Sequence, residues 1–382
     1  MILGLDVLKP LGIDISCSTE TLTWNNIRIP WKPKSYLDNA SITDAQLAET
    51  SFCSLPDFNI GHTEFDSFAA PTATTILQSE YSEVNMNDVV QAQTHLTHHQ
   101  QQELASVLTN FQPLFSGKLG CYPGYKAHLE LLPNAHASHC RPYSVPRVHK
   151  EVFKAELEQL CDAGVLTRCG PSEWLSPTFV IPKKDGRVRW VSDFRKLNKV
   201  IKRRVYNLPR IQDILCKRTG YQFFTKLDIS MQFYTFELDE ASKKLCTICT
   251  PFGNYRYNRL PMGVKQSPDI AQEVMESLLR DLPETDIYID DVGVFSNNWK
   301  EHLNSLTKVL SVLQQANFTV NPLKCEWGVK ETDWLGYWLT PTGLKPWRKK
   351  IDAILALQPP QSVSALRSFI GAITFYRDMF PK

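Results

Sequence analysis

The chain has 382 residues, 43% of them apolar and 21% charged, enough for two or three globular domains and incompatible with wholesale disorder. No run approaches the roughly 18 apolar residues of a membrane-spanning helix, and the apolar opening is interrupted by Asp6 and Lys9, so it does not read as a signal peptide. With 42 Lys and Arg against 40 Asp and Glu, the net charge of +2 argues, as an average, against a polyanionic partner.

That average conceals a split. Residues 35–117 contain no Lys or Arg and ten acids. Four bases and three acids precede them, so residues 118–382 hold the other 38 bases and 27 acids, a net of +11. The densest stripe, from Lys183 to Arg218, has thirteen bases against Asp185, Asp193 and Asp213. Such a stripe is the footprint of a phosphate-backbone binder, although charge alone fits a solvated face equally well. The ten cysteines, scattered from Cys17 to Cys325, are too sparse for a disulfide scaffold and read as reduced thiols.

In chain order, the acidic stretch to about residue 92 lacks a period of 3.6 or 2 and reads as a linker with little structure of its own. Folding resumes near Leu96, with Leu104, Leu108 and Phe111 at helical spacing. A helix over 151–163 aligns Phe153, Leu157 and Leu160 and stops at Gly164. Asp185-Gly186 signals a hairpin whose returning strand sets Arg187 and Arg189 on one face, Val188 and Trp190 on the other. Phe223 to Asp228 reads as a buried strand ending in a carboxylate. Ser267 and Pro268 read as the N-cap and first residue of a helix, and Asp286 to Phe295 as two strands joined by an acidic turn at Asp290-Asp291. A helix over 301–315, a strand pair from Asp333, and two basic helices from Trp347 and Ser362 complete the chain. Strands joined mainly by hairpins favour an α+β fold.

The chemistry lies in the carboxylates. Tyr288-Ile-Asp290-Asp291 sets two acids among β-forming apolar residues, where Asp is disfavoured and costly to bury without a counter-charge. Asp228 ends a second apolar strand. Three hard oxygen donors converging on one point suit Mg²⁺, and two such ions about 4 Å apart would stabilise an attacking hydroxyl and a leaving pyrophosphate. Alone, the motif also fits an ordinary solvated turn.

It is accompanied by Ile181-Pro-Lys-Lys-Asp-Gly, Arg189, Asp193-Phe-Arg-Lys-Leu-Asn198, Lys226-Leu-Asp228, Leu260-Pro-Met-Gly-Val-Lys-Gln-Ser-Pro268, Lys324-Cys325 and Trp334-Leu-Gly-Tyr337, in that order around the YxDD motif. From about Leu104 onward the chain resembles the reverse transcriptase of gypsy-type long-terminal-repeat retrotransposons. The resemblance implies a right-hand polymerase with fingers, palm and partial thumb and a ferredoxin-like palm sheet. It implies RNA-directed DNA polymerase activity with two Mg²⁺ ions, or Mn²⁺ in their place. Asp228, Asp290 and Asp291 would bind metal, and Lys324 would be a general acid for pyrophosphate. Lys183 or Lys184, with Arg189 and Met262, would meet the incoming nucleotide. Phe233 would be the steric gate against a 2′-hydroxyl, and Trp334, Leu335, Gly336 and Tyr337 the primer grip. The implied partners are an RNA template, a DNA primer or template and deoxynucleoside triphosphates, with no membrane and the oligomeric state left open. The implied setting is the cytoplasm, including virus-like particles, with access to the nucleus.

The resemblance divides the chain into a retropepsin-like protease remnant (1–34), the acidic linker (35–92), a polymerase extension (93–149), fingers and palm (150–340) and partial thumb (341–382). Met1-Ile-Leu-Gly-Leu-Asp-Val-Leu carries the protease likeness, but no Asp-Thr-Gly or Asp-Ser-Gly is present, so proteolysis is not expected. Two departures stand out: the segment Ile229-Ser-Met-Gln-Phe233 differs from the more common pattern of an acidic or basic residue followed by Ser-Gly-Tyr, and Met262 stands where retroviral enzymes have Gln, although gypsy-type elements often have an apolar residue there. Cys246-Thr-Ile-Cys249 has metal spacing but no second pair, and His95, His98 and His99 lack the downstream Cys pair of a zinc site. The competing reading is a truncated, non-polymerising element copy that still binds nucleic acid.

Overall fold

A computed structural model describes residues 13–16, 21–24, 27–30, 84–182, 188–346, 348–357 and 359–374. The chain divides into two units, one made of residues 1–70 and 348–382, the other of residues 71–347. The protease-like opening, Lys183, Lys184 and Asp185-Gly186 lie outside the described residues.

In the first unit, β1 (Ile13–Ser16), β2 (Thr21–Trp24) and β3 (Ile27–Pro30) form an antiparallel meander, with Ile13 opposite Trp24 and Leu22 opposite Ile29.

The second unit opens with α1 (Met86–Gln91), capped by the Asn85 side chain and burying Met86, Val89 and Val90. The linker expected to reach residue 92 therefore gives way to a helix at its end. Its apolar face is one i, i+3, i+4 set, too short to stand out as a period. α2 (His98–Asn110) starts at a capping box between Thr97 and Gln100 and buries Leu104 and Leu108. After β4 (Lys126–Ala127), α3 (Lys150–Asp162) ends where Gly164 takes φ +70°, the conformation only Gly adopts without strain.

Next come β5 (Leu166–Cys169), β6 (Ser176–Pro182), β7 (Val188–Ser192), α4 (Arg195–Val200), α5 (Ile211–Cys216) and β8 (Phe223–Asp228). They are followed by α6 (Gln232–Thr235), β9 (Glu237–Leu238), α7 (Glu240–Leu245), β10 (Thr247–Thr250) and β11 (Gly253–Tyr257). A five-stranded sheet in the order β5-β11-β10-β6-β7 is antiparallel except where Ile248 of β10 meets Ser176 of β6. As the alternation in β7 required, Trp190 is buried, donating its indole N–H to Tyr257 Oη at 2.9 Å, while Arg189 is exposed.

The central sheet uses α8 (Ser267–Leu278), β12 (Thr285–Tyr288), β13 (Asp291–Ser296), α9 (Trp299–Gln315) and β14 (Glu326–Val329). With β8 these run β-α-β-β-α-β, and the order β12-β13-β8-β14 is antiparallel throughout. This is the ferredoxin-like arrangement, with α6 to β11 inserted between β8 and α8. Gln266, not Ser267, is the N-cap of α8; Ser267 lies inside the helix and its hydroxyl donates to the Pro261 carbonyl at 2.8 Å.

The sheet is covered by α9, whose Leu306, Val309, Leu310 and Leu313 are fully buried. The extension before residue 150 is packed on the same core. Trp299 donates its indole N–H to Glu103 at 2.8 Å, Phe115 meets Trp327 edge-on at 6.2 Å, and β4 adds parallel to β9. A last meander, β15 (Thr332–Trp334), β16 (Tyr337–Thr340) and β17 (Gly343–Pro346), closes the unit. α10 (Arg348–Leu355) and α11 (Val363–Thr374) belong to the first unit.

Candidate active site

Register brings the acids together. β8 and β13 pair so that Asp228 stands directly opposite Asp291, and β12 and β13 pair so that Tyr288 stands opposite Asp291. The turn is therefore Ile289-Asp290, one residue earlier than the expected Asp290-Asp291. Asp291 is a strand residue, because its backbone is already in the ladder. Neighbours on a strand point to opposite sides, whereas a turn residue and the first strand residue are free to crowd one edge. Burial raises the Asp228 pKa, with Lys324 opposing the rise and the neighbouring Asp290 adding to it. Burial and then Asp290 push Asp291 up to about 6.

Two lysines answer this charge. Lys324 Nζ lies 3.8 Å from Asp228 Oδ1. Lys226, two residues before Asp228 on β8, donates to the Asp333 carbonyl at 3.1 Å and lies 3.8 Å from its carboxylate. The strand end is fixed from behind: Asp228 N–H points at Cys325 Sγ at 3.4 Å, Asn321 N–H donates to the Asp228 carbonyl at 3.0 Å, and burial keeps the Cys325 thiol protonated.

The primer-grip residues expected from sequence form the β15–β16 hairpin. Trp334 pairs with Tyr337, and Leu335 and Gly336 at φ +50° and +85° make a two-residue turn of the I′ kind. Trp334 is buried on the carboxylate strand itself, its ring against Gly293 of β13 and 5.3 Å from Phe224. Phe233, on α6, is half-buried. Met262 is exposed beside Gly263, and Arg189 is on the other sheet. The structure thus gathers Asp228, Asp290, Asp291 and Lys324 at one end of the two inner strands and backs β13 with Trp334.

Sequence reasoning missed Gln232, Gln272 and Gly293. Gln272 carried a usable signal, a polar residue among the buried Ile270, Ala271, Val274 and Met275 of α8, which demands a hydrogen-bond partner. Of the discounted motifs, Cys246 and Cys249 are buried, and Cys249 donates to the Cys140 carbonyl at 3.2 Å.

Among the described residues no His, Cys, Asp or Glu side chains close a ready-made cage of three or more around a point. The aspartates form an open wall of oxygen donors, two of them disfavoured as anions. That donor set fits a hard divalent cation completed by water and phosphate oxygens.

A split β-α-β-β-α-β sheet with aspartates facing each other at the ends of two paired strands, and a third on the turn beside them, has the architecture of a polymerase palm. The comparisons specify it further. Residues 181–339 match the family model described as reverse transcriptase (RNA-dependent DNA polymerase). The chain is 30% identical over 325 residues to the retrovirus-related Pol polyprotein from transposon 297 of Drosophila melanogaster, covering 83% of this chain and 30% of that protein. It is 28% identical over 261 residues to the transposon Tf2-3 polyprotein of Schizosaccharomyces pombe, covering 68% and 20%. It spans less than a third of the length of either relative. Among solved structures, the foamy viral protease-reverse transcriptase dRH in complex with double-stranded DNA superposes with a TM-score of 0.71 at 23% identity, over 76% of this chain and 52% of that one. The native prototype foamy virus protease-reverse transcriptase gives 0.63 at 26%, over 78% and 40%. The fold is that of a right-hand reverse transcriptase. Residues 181–339 are thus similar to reverse transcriptases, and the chain is related over most of its length to parts of retrotransposon Pol polyproteins.

Proposed function

We propose that this chain is an RNA-directed DNA polymerase of the gypsy type, extending a primer 3′-end with deoxynucleotides on an RNA or DNA template. The observation that carries the reading is the register pairing of Asp228 with Asp291, with Asp290 on the adjoining turn. The similarity to foamy viral enzymes solved with double-stranded DNA and with an RNA/DNA hybrid supports the choice of partner, as does the +11 charge of residues 118–382.

Asp228 and Asp290 would hold two Mg²⁺ ions, with Asp291 assisting. When bound, the ions supply Lewis-acid stabilisation of the attacking and leaving oxygens. The chain's own residues do the rest. Lys324 stands beside Asp228, where its ammonium can give a proton to departing pyrophosphate. Arg189, with Lys183 or Lys184, neutralises the triphosphate. The Phe233 ring lies under the sugar and leaves no room for a 2′-hydroxyl. Trp334 to Tyr337 hold the primer end against the strand that bears Asp291.

Extension of a DNA primer on poly(rA) with Mg²⁺, run beside Asp290→Asn, tests the reading. Wild-type extension and a loss of at least about 100-fold in the variant are expected from the removal of a charge that acts only through the bound ions. Equal signal from the two proteins would refute it.

A further inference from the structure

The turn that carries Asp290 is held in a conformation its own residue opposes. Ile289 has φ +55°, whereas β-branched residues avoid positive φ. Asp290 has no positive φ, so the two-residue turn is of the II′ kind, whose first position favours Gly. Such strain persists only where the surroundings over-determine it.

Two buried glutamines do so. Ile289 N–H donates to Gln272 Oε1 at 2.6 Å, and the Ile289 carbonyl accepts from Gln232 Nε2 at 2.9 Å. The two side chains are 0% and 3% exposed. Gln272 is itself braced: its Nε2 donates to Glu276 at 2.6 Å and to the Ile287 carbonyl at 3.0 Å, and Tyr206 donates to the other Glu276 oxygen at 2.5 Å. Gln232 is different. Its Oε1 is buried with no partner among the described residues, an arrangement that is unfavourable in itself. A side chain present only to fill space would be apolar here. The half of the amide that is satisfied is the half that grips the turn.

We propose that Gln232 is a positioning residue for polymerisation. With Gln272 it pins both sides of Ile289, fixing the Ile289–Asp290 peptide and therefore the direction in which the Asp290 carboxylate leaves the turn. The proposal rests on the polymerase reading for its kinetic consequence, but the clamp has a readout of its own. Gln232→Met keeps the volume and loses the donor.

In single-turnover incorporation, Gln232→Met should lower the maximal rate about tenfold, since displacements of an ångström or less at a reacting group cost one to two orders of magnitude. The nucleotide concentration at half-maximal rate should stay within about twofold of wild type, because the clamp touches no substrate. Hydrogen exchange of a peptide covering residues 286–292 should quicken with the thermal midpoint unchanged. Adding Ile289→Gly, which removes the strain the clamp opposes, should restore the rate to within about threefold. A Gln232→Met protein with wild-type rate and wild-type exchange would overturn the proposal, as would a double variant no faster than Gln232→Met alone. If wild type extends no primer, the polymerase reading fails and exchange alone decides the clamp. If Gln232→Met does not fold, Gln232→Leu, which also lacks the donor, takes its place in the same measurements.

Discussion

At Gly293 the carboxylate strand lies against Trp334 of the β15–β16 hairpin, the proposed primer grip. A Cβ there would lie 2.8 Å from Trp334 Cζ2, 2.9 Å from Trp334 Cη2 and 2.9 Å from Phe224 Cε2. These are rigid rings, and Trp334 also packs 5.6 Å from Phe295, so neither can swing aside alone. Gly293→Ala adds one methyl to a full site, which costs about 1–3 kcal/mol. Gly293 is not among the positive-φ glycines, so Ala is sterically allowed on the backbone and recovers about 0.4–1 kcal/mol of unfolded-state entropy. The net expectation is a loss of about 1–2 kcal/mol in urea unfolding followed by tryptophan fluorescence. Because Trp334 leads directly into the Leu335-Gly336 turn, primer-template affinity should fall as well, with the rate from saturating nucleotide less affected. Trp334→Phe shortens the ring that the new methyl meets. The Gly293→Ala loss should then shrink in that background, giving a coupling of at least about 0.5 kcal/mol. A Gly293→Ala protein as stable as wild type, or strict additivity with Trp334→Phe, would refute the packing argument.

Phe233→Val should raise incorporation of ribonucleotides relative to deoxynucleotides by an order of magnitude or more; unchanged discrimination would remove Phe233 from the gate. His302 is buried between Thr225 and Ser296, and burial lowers its pKa to about 4 from an ordinary value of 6.5. The unfolded chain takes up the proton first, so stability present above pH 6.5 is lost progressively as pH falls toward 4, by up to about 3 kcal/mol. Urea midpoints at pH 7 and pH 5, with His302→Gln as the flat control, check it. The Mg²⁺ concentration for half-maximal extension should rise between pH 8 and pH 6 as protonation of Asp291, with its pKa raised to about 6, competes with the cation. Affinity for template-primer should fall log-linearly with salt, and a salt-independent constant would refute the phosphate-stripe reading.

Much of the fold was legible where the signal was local. The strand Phe223–Asp228 and the helix ending at Gly164 have the boundaries their periodicity and stop residues announce, to within a residue. Errors arose where competing local signals were close. Ser267 and Gln266 both precede Pro268; the helix backbone starts at Ser267, which makes Gln266 the cap, and the Ser267 hydroxyl donates to the Pro261 carbonyl instead of capping. The helix Met86–Gln91 was read as linker because it is held mainly by tertiary burial of three side chains.

The chemical inventory is already present in the sequence: Asp228 after an apolar strand, the Asp290-Asp291 pair among β-forming residues, a basic stripe, and an order of motifs that resembles a reverse transcriptase. Those features are local or compositional and survive without coordinates. The folded chain adds what no local signal carries: Asp291 is a ladder residue facing Asp228, Trp334 rests on Gly293, and Gln232, 57 positions from Ile289, grips its carbonyl. Strand register and side-chain contacts between distant segments are set by how whole elements pack. A period of 2 or 3.6 names the face of an element but carries no information about which residue will stand across from it.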